Sequence, residues 1–554
     1  MTQASPSSSS PAVLTPKDLL GLLGAADELA VLDVRPHGVY ARGHLLLSAS
    51  ASYWSLELEI DRLAPRRDTQ LVLVDDDDGL AGRAARKLAV LGYTRVALLQ
   101  GGIAGWQAAG QQLFSGTNVL SKAFGEVLEH ELGTPWIDAA DLKQRLRRGD
   151  KLVVVDSRTP EEFANFSIPG AYSLPGAELV YRIGEVAPDP DTLVVVNCAG
   201  RTRSIVGAQT LINAGIPNEV VSLRDGTMAW LLNGDTLDHG KIRPAPAPSA
   251  RTLAEARARA ERVASRAGVD RLDDAGLQRL LSQPGRTVYR FDVRDRQEYL
   301  AGHLPGWRWA PGGQLVQATD EYAATRGAHI VLADWDGVRA LTTAAWLAQL
   351  GAFQVHIYPV TLRPGAALET GEEPVRVLRA HVEDAPAVAP TELARWLEEG
   401  DTAVFDIENS VAYARRHIAG ARFVGAHALE RTLAALPAAT RVVLTSADGL
   451  LAHSVARELQ SEGRAVHTLR GGNRAWFDAG LETGAGREGI ETGEEDTWYG
   501  PYVYRDLAER DAKFRAYLDW EIGLVAQLER EPRVGINLKG SLRAEPRQSG
   551  ASAS

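Results

Sequence analysis

One pattern, met four times along the chain, constrains the fold more than any other feature. Four short apolar runs each reach an acidic residue: Val31-Leu32-Asp33, Val154-Val155-Asp156, Arg290-Phe291-Asp292 and Val404-Phe405-Asp406. A related phrase follows each one: Tyr40 to Leu45, Phe163 to Ala171, Tyr299 to Gly306 and Tyr413 to Ala421. Three of these phrases carry a histidine (His44, His303, His417), and the second has Ser167 in its place. About forty residues after each acid comes a second apolar run: Leu71 to Val74, Leu193 to Val196, Ile330 to Ala333 and Val442 to Leu444. Three copies close on a tryptophan (Trp106, Trp230, Trp476), and the third reads Ile357-Tyr358-Pro359-Val360 instead. Landmarks repeated in one order mean internal duplication, and 554 residues are too many for one hydrophobic core.

The second runs are continuously apolar rather than alternating, as in strands of a parallel sheet covered on both faces. Helical patterns lie between them. After Val196, the residues Ile205, Ala208, Leu211 and Ile212 share one helical face, and Gly215 supplies a stop. The alternation predicts an α/β fold of four tandem domains, each a parallel sheet flanked by helices. Their predicted bounds are 12–118, 125–240, 266–372 and 383–490, with 491–554 as a C-terminal tail. The proline-rich stretch Arg243 to Ser249 reads as a semi-rigid spacer, and Thr252 to Ala267 as a helix leading into the third copy. A further helix is predicted from about Arg505 to Arg530, with Leu507, Phe514, Leu518, Val525 and Leu528 apolar. It is expected to pack on the fourth domain, or else to serve as a dimer or partner contact.

Net charge is -11, which offers no footprint for nucleic acid and argues against an anionic membrane surface. No apolar run is long enough for a membrane span. The Ser-rich start, Met1 to Pro11, lacks the basic-then-apolar order of a secretory signal and is expected to be a disordered lead-in. There is a single cysteine, so no intrachain disulfide is possible, which fits a reducing, cytoplasmic setting. The second thiol in any thiol chemistry must come from another molecule. The chain has no Cys-x-x-Cys, no His-Glu-x-x-His, no phosphate loop and no dinucleotide fingerprint, so neither a metal nor a cofactor is expected.

The one cysteine stands where chemistry is easiest to support. Cys198-Ala199-Gly200-Arg201-Thr202-Arg203-Ser204 runs from the end of an apolar strand into a helix. Loop amides can converge into an anion nest, and the helix start adds partial positive charge. Two guanidinium groups follow closely, and all three effects favour thiolate over thiol. This loop resembles the active-site loop of the rhodanese family, and the repeated unit resembles the rhodanese domain over nearly the whole chain except its ends and linkers. The resemblance implies a sulfurtransferase. Cys198 would take a sulfane sulfur from thiosulfate or a similar small-molecule donor, hold it as a persulfide, and pass it to cyanide, a thiol or a protein acceptor. It further implies that the amides of Ala199, Gly200, Arg201, Thr202, Arg203 and Ser204 cradle the outer sulfur. Arg201 and Arg203 would draw in the sulfonate of thiosulfate, and Arg182 is a weaker candidate for donor binding. Neither nucleic acid nor membrane is implied as a partner.

Aligned from the strand, the cysteine position falls, within a residue, on Asp76, Trp335 and Ser446 in the other copies. None can form a persulfide, so these domains are expected to be catalytically silent. A rhodanese-fold phosphatase would need five residues between cysteine and arginine, and four separate Cys198 from Arg203. The alternative is a non-catalytic binding or redox-sensing protein built on the same domains. Arg158 is expected to be a structural partner of Asp156, Glu161 or Glu162. Trp230 and the three histidines are also read as structural.

Overall fold

The structure is a computed structural model, and it describes residues 11–361, 367–380, 384–437, 440–531 and 533–544. The expected lead-in, apart from Pro11, and the last ten residues of the tail lie outside them. Four five-stranded sheets are present among the described residues, and each repeats one order: counting only the strands of that sheet along the chain, 1-5-4-2-3. All neighbours in these sheets are parallel, as the continuously apolar runs demand. In the second domain the strands are Trp136–Ile137, Leu152–Asp156, Tyr172–Ser173, Leu193–Asn197 and Val220–Leu223. Leu152 pairs with Leu193 and the ladder ends at Asp156 beside Asn197, so Cys198 stands just beyond the carboxyl edge of the sheet. Ligand sites of open α/β sheets gather at this edge.

The acid that ends each first run is a buried anchor. Asp156 and Arg158 are both 0% exposed, with Arg158 Nε 2.9 Å from Asp156 Oδ1 and Nη2 2.7 Å from Oδ2. Arg158 Nη2 also donates to the carbonyl of Phe166, which ties the strand end to the following loop. The pairs Arg35–Asp33 and Arg294–Asp292 repeat this, reaching the carbonyls of Gly43 and Gly302. In the fourth copy Glu408 replaces the arginine, and Asn473 Nδ2 donates to Asp406 instead, at 2.8 Å. The three histidines are structural: each stacks on the tyrosine four residues earlier and bonds its carbonyl through Nδ1. Trp230 is buried, and its indole N–H donates to Thr236, as Trp106 does to Gln112 and Trp476 to Glu482.

The domains do not associate in chain order. The chain divides into two compact units. One comprises Met1–Thr117, Ala323–Thr325 and Pro374–Val503 and so holds the first and fourth domains; there Glu458 receives Lys87, and Glu57 receives Ser454 and Arg457. The other comprises Asn118–Tyr322, Arg326–Glu373 and the described residues from Tyr504 on, and holds the second and third domains together with the C-terminal helix. In this unit the helix Ala250–Arg266 packs on Glu178–Val186 and Arg339–Leu350. Gly176 lies so close to Gly313 that a Cβ on it would stand 3.3 Å from the Gly313 Cα.

The helix Leu507–Leu528 also belongs to this second unit, which corrects the expectation that it packs on the fourth domain. It packs on Val119–Leu132, the helix leading into the second domain. Phe514, Leu518, Leu524 and Leu528 are buried, as an amphipathic stripe requires, while Leu507 is exposed. Glu521 lies buried in the same stripe.

Candidate active site

The strand Leu193–Asn197 delivers Cys198 into a turn that ends in the helix Thr202–Ala214. The loop is pinned from below by the start of the helix Gly226–Leu232: Thr227 N donates to Cys198 O at 2.9 Å and Met228 N to Ala199 O at 3.1 Å. Gly226 has φ +53 and presses against the loop so closely that a Cβ would come within 2.3 Å of the Cys198 carbonyl oxygen. Only glycine fits that approach and that backbone conformation. Gly102 and Gly472 hold the same relation to Asp75 O and Ser446 O in the first and fourth domains. Cys198 Sγ is 3.5 Å from Ser204 Oγ, and both the amide and the hydroxyl of Ser204 favour negative charge on it.

Strand register corrects the alignment of the other copies. The residues directly after Val74, Ala333 and Thr445 are Asp75, Asp334 and Ser446, so these hold the cysteine position, and Asp76 and Trp335 lie one residue beyond it. Each accepts from the nest in place of a sulfur. Asp75 receives the amides of Asp77 and Ala81; Asp334 those of Gly337, Val338 and Ala340; Ser446 that of Ala452. In every copy one donor is the amide six residues on, and in the second domain that residue is Ser204. An oxygen ligand belonging to the chain thus occupies the nest wherever cysteine is missing. Burial pushes the Asp334 carboxyl up to about 7, and Asp336 adds to the rise.

The two loop arginines are committed to carboxylates. Arg201 is buried, bidentate to Glu126 at 2.8 Å, bonded to Asp225 at 2.8 Å and paired with Glu129 as well. Arg203 is bidentate to Glu162 at 2.6 and 2.8 Å. Burial opposes ionisation of Glu162, yet Arg203 and Arg158 together hold its carboxyl down to about 2. Of the two, Arg203 acts on the Cys198 sulfur and lowers the thiol. Arg182 is bonded to Glu178 at 2.6 Å and lies 3.9 Å from Asp295. A partly open cavity of about 40 Å³ is lined by Thr202, Arg203, Gly312, Thr343 and Trp346.

The far side of the loop is covered by the C-terminal helix, which sequence reasoning did not place here. Thr202 Oγ1 donates to Glu521 Oε1 at 3.1 Å, and Tyr517 donates to the same oxygen at 3.1 Å. A Cβ on Gly200 would stand 3.2 Å from Glu521 Oε2 and 3.4 Å from Tyr517 Cε1. The Lys122 ammonium sits over the rings of Tyr517 and Trp520 at 5.4 and 5.1 Å, and burial pushes it down to about 8. Cys198 is only 2% exposed. Burial pushes its thiol up, against the pull of Arg203 and Ser204, and Glu521 pushes the same way. The direction is thus opposite to the one expected from the loop alone, with burial the largest cause. The signal for this was a glutamate on an otherwise apolar helical stripe.

A strand-loop-helix nest with cysteine at its first position, on a 1-5-4-2-3 parallel sheet, is the arrangement of a rhodanese-like domain. The family model of the rhodanese-like domain matches residues 15–109, 138–233, 275–359 and 389–479, and the chain belongs to the rhodanese family. It is similar to a crystal structure of thiosulfate sulfurtransferase from Pseudomonas aeruginosa, with TM-score 0.90 and 46% identity over 95% of this chain and 99% of that one. A curated thiosulfate sulfurtransferase of Pseudomonas aeruginosa is 29% identical over 233 residues, 35% of this chain and 84% of that protein. A sulfurtransferase of Allochromatium vinosum is 37% identical over 98 residues, 18% of this chain and 89% of that protein. Among the described residues no helix is long and apolar enough to cross a membrane. No group of three or more His, Cys, Asp or Glu among them could hold a metal ion.

Proposed function

We propose that this chain is a sulfurtransferase with one working centre, in which Cys198 carries a sulfane sulfur from thiosulfate or a similar donor to cyanide or a thiol. One observation carries the reading: the only cysteine occupies the nest position that aspartate or serine fills in the other three domains. The likeness to thiosulfate sulfurtransferase over almost all of both chains supports it.

The thiolate of Cys198 attacks the outer sulfur of the donor. The new S–S bond forms as the old one breaks, and the electron pair leaves with sulfite. The amides of Ala199 to Ser204 receive the terminal sulfur of the persulfide. Ser204 and Arg203 stabilise sulfur anion at that point, and Thr202 and Arg201 hold the loop in shape through Glu521 and Glu126. A nucleophile then takes the outer sulfur, and the electron pair returns to Cys198 Sγ, a double displacement. Arg182 is assigned to the contact with Glu178 and not to donor binding. The first, third and fourth domains are silent, because carboxylate or hydroxyl oxygen fills their nests.

The test is the Cys198→Ser variant in thiocyanate formation from thiosulfate and cyanide. The variant keeps the fold and loses turnover to background. Turnover at the wild-type rate in that variant refutes the assignment.

A further inference from the structure

The charge around Cys198 differs from what a site for a dianion needs. Three cations lie about the loop: Arg201, Arg203 and Lys122. Five carboxylates face them: Glu126, Glu129 and Asp225 on Arg201, Glu162 on Arg203, and Glu521 beside Lys122. Four of the five are engaged in ion pairs with the arginines. Glu521 is different. Its Oε1 accepts from Thr202 and Tyr517, but its Oε2 has no hydrogen-bond partner among the described residues, although the side chain is 1% exposed. That oxygen is directed at the loop, 3.2 Å from where a Cβ of Gly200 would stand, and the carboxyl acts electrostatically on Cys198. A buried acceptor left without a donor is costly, so a bound molecule that donates to it gains that much.

We infer that Glu521, delivered by the C-terminal helix, is a specificity-determining residue of the Cys198 site, which selects uncharged or cationic sulfur compounds bearing an N–H or S–H donor over anions. This rests on the sulfurtransferase reading and names its substrate class. Burial pushes the Glu521 carboxyl up, against the pull of Lys122, Tyr517 and Thr202. A thiol or hydropersulfide satisfies Oε2 as it approaches, whereas a sulfonate offers it no donor and meets like charge at short range where the carboxyl is ionised. Gly200 is the residue that lets the carboxyl come so near.

The test uses the full-length protein, whose single cysteine makes every thiol alkylation, followed as carboxymethyl or carbamidomethyl on the Cys198 peptide, an event at Cys198. Rates with iodoacetamide and iodoacetate, matched in size and differing by one charge, are measured and divided by the same ratio for free cysteine. The wild type prefers iodoacetamide. In Glu521→Gln, which keeps the amide oxygen for Thr202 and Tyr517, the preference falls at least about tenfold. Lys122→Met, which removes the compensating cation, raises it and serves as the second variant if Glu521→Gln does not fold. An unchanged ratio in both variants overturns the inference, as does failure of the wild type to react with either reagent. The ratio is read without any sulfur transfer, so it stands or falls apart from the activity. Where the activity holds, kcat/KM for thiosulfate rises in Glu521→Gln.

Discussion

Gly226→Ala probes the loop geometry most sharply. The added Cβ would lie 2.3 Å from Cys198 O and 2.7 Å from Gly200 O, at a φ of +53. Backbone on one side or the other must retreat by about 1 Å to reach van der Waals distance. The left-handed conformation costs an alanine about 1–2 kcal/mol, and overpacking adds about 1–3 kcal/mol. A loss of roughly 3 kcal/mol in the stability of the second unit is therefore expected in chemical denaturation. A shift of about 1 Å in a reacting group costs on the order of a hundredfold in rate, so sulfur loading of Cys198 by thiosulfate should slow by about that factor. Gly102→Ala is the control, because its Cβ would stand 2.2 Å from Asp75 O at φ +50 in the first domain. It should lose similar stability and load sulfur at the wild-type rate. Wild-type loading in Gly226→Ala refutes the view that this contact sets the position of Cys198.

Three further expectations follow from the buried charges. Arg158→Met strands Asp156 in the core and should cost about 3–5 kcal/mol in denaturant unfolding, with most of it recovered by adding Asp156→Asn; a loss under about 1 kcal/mol contradicts the anchor role. Burial favours the thiol of Cys198 and only the thiolate reacts, so the rate of alkylation by iodoacetamide should keep rising with pH beyond about 8.5, the value for a free thiol; a plateau below about pH 8 contradicts it. Arg203→Met removes a cation that lowers that thiol, so single-turnover loading at neutral pH should fall by about tenfold and recover partly in alkali; identical pH profiles contradict its role at the sulfur.

What the sequence could not supply came from non-local packing. Strand order and register do not follow from local pattern, whereas the parallel apolar strands and the buried Asp156–Arg158 pair do, because an apolar run, an acid and an arginine two residues on act within one turn of chain. The loop was legible for the same reason, since Cys198 through Ser204 are contiguous. The cysteine position in the first and third copies was legible only to within a residue, because the apolar run does not fix where the strand ends, and hydrogen-bonded register places it at Asp75 and Asp334. The pairing of the first domain with the fourth and the second with the third has no local signature. Nor has the path of the tail, whose stripe predicted a buried face but not the surface that buries it. Burial, which the contiguous loop does not reveal, pushes the Cys198 thiol up, and the Tyr517 and Glu521 that lie beside that loop come from more than three hundred residues away in sequence.

The most direct test of the central claim is the intact mass of the purified wild-type protein, taken before thiosulfate, after thiosulfate and again after cyanide. The account predicts a gain of one sulfur atom, located on Cys198 and removed by cyanide as thiocyanate. If no sulfur is gained from thiosulfate or from a hydropersulfide donor, the account is contradicted and Cys198 is not a persulfide carrier.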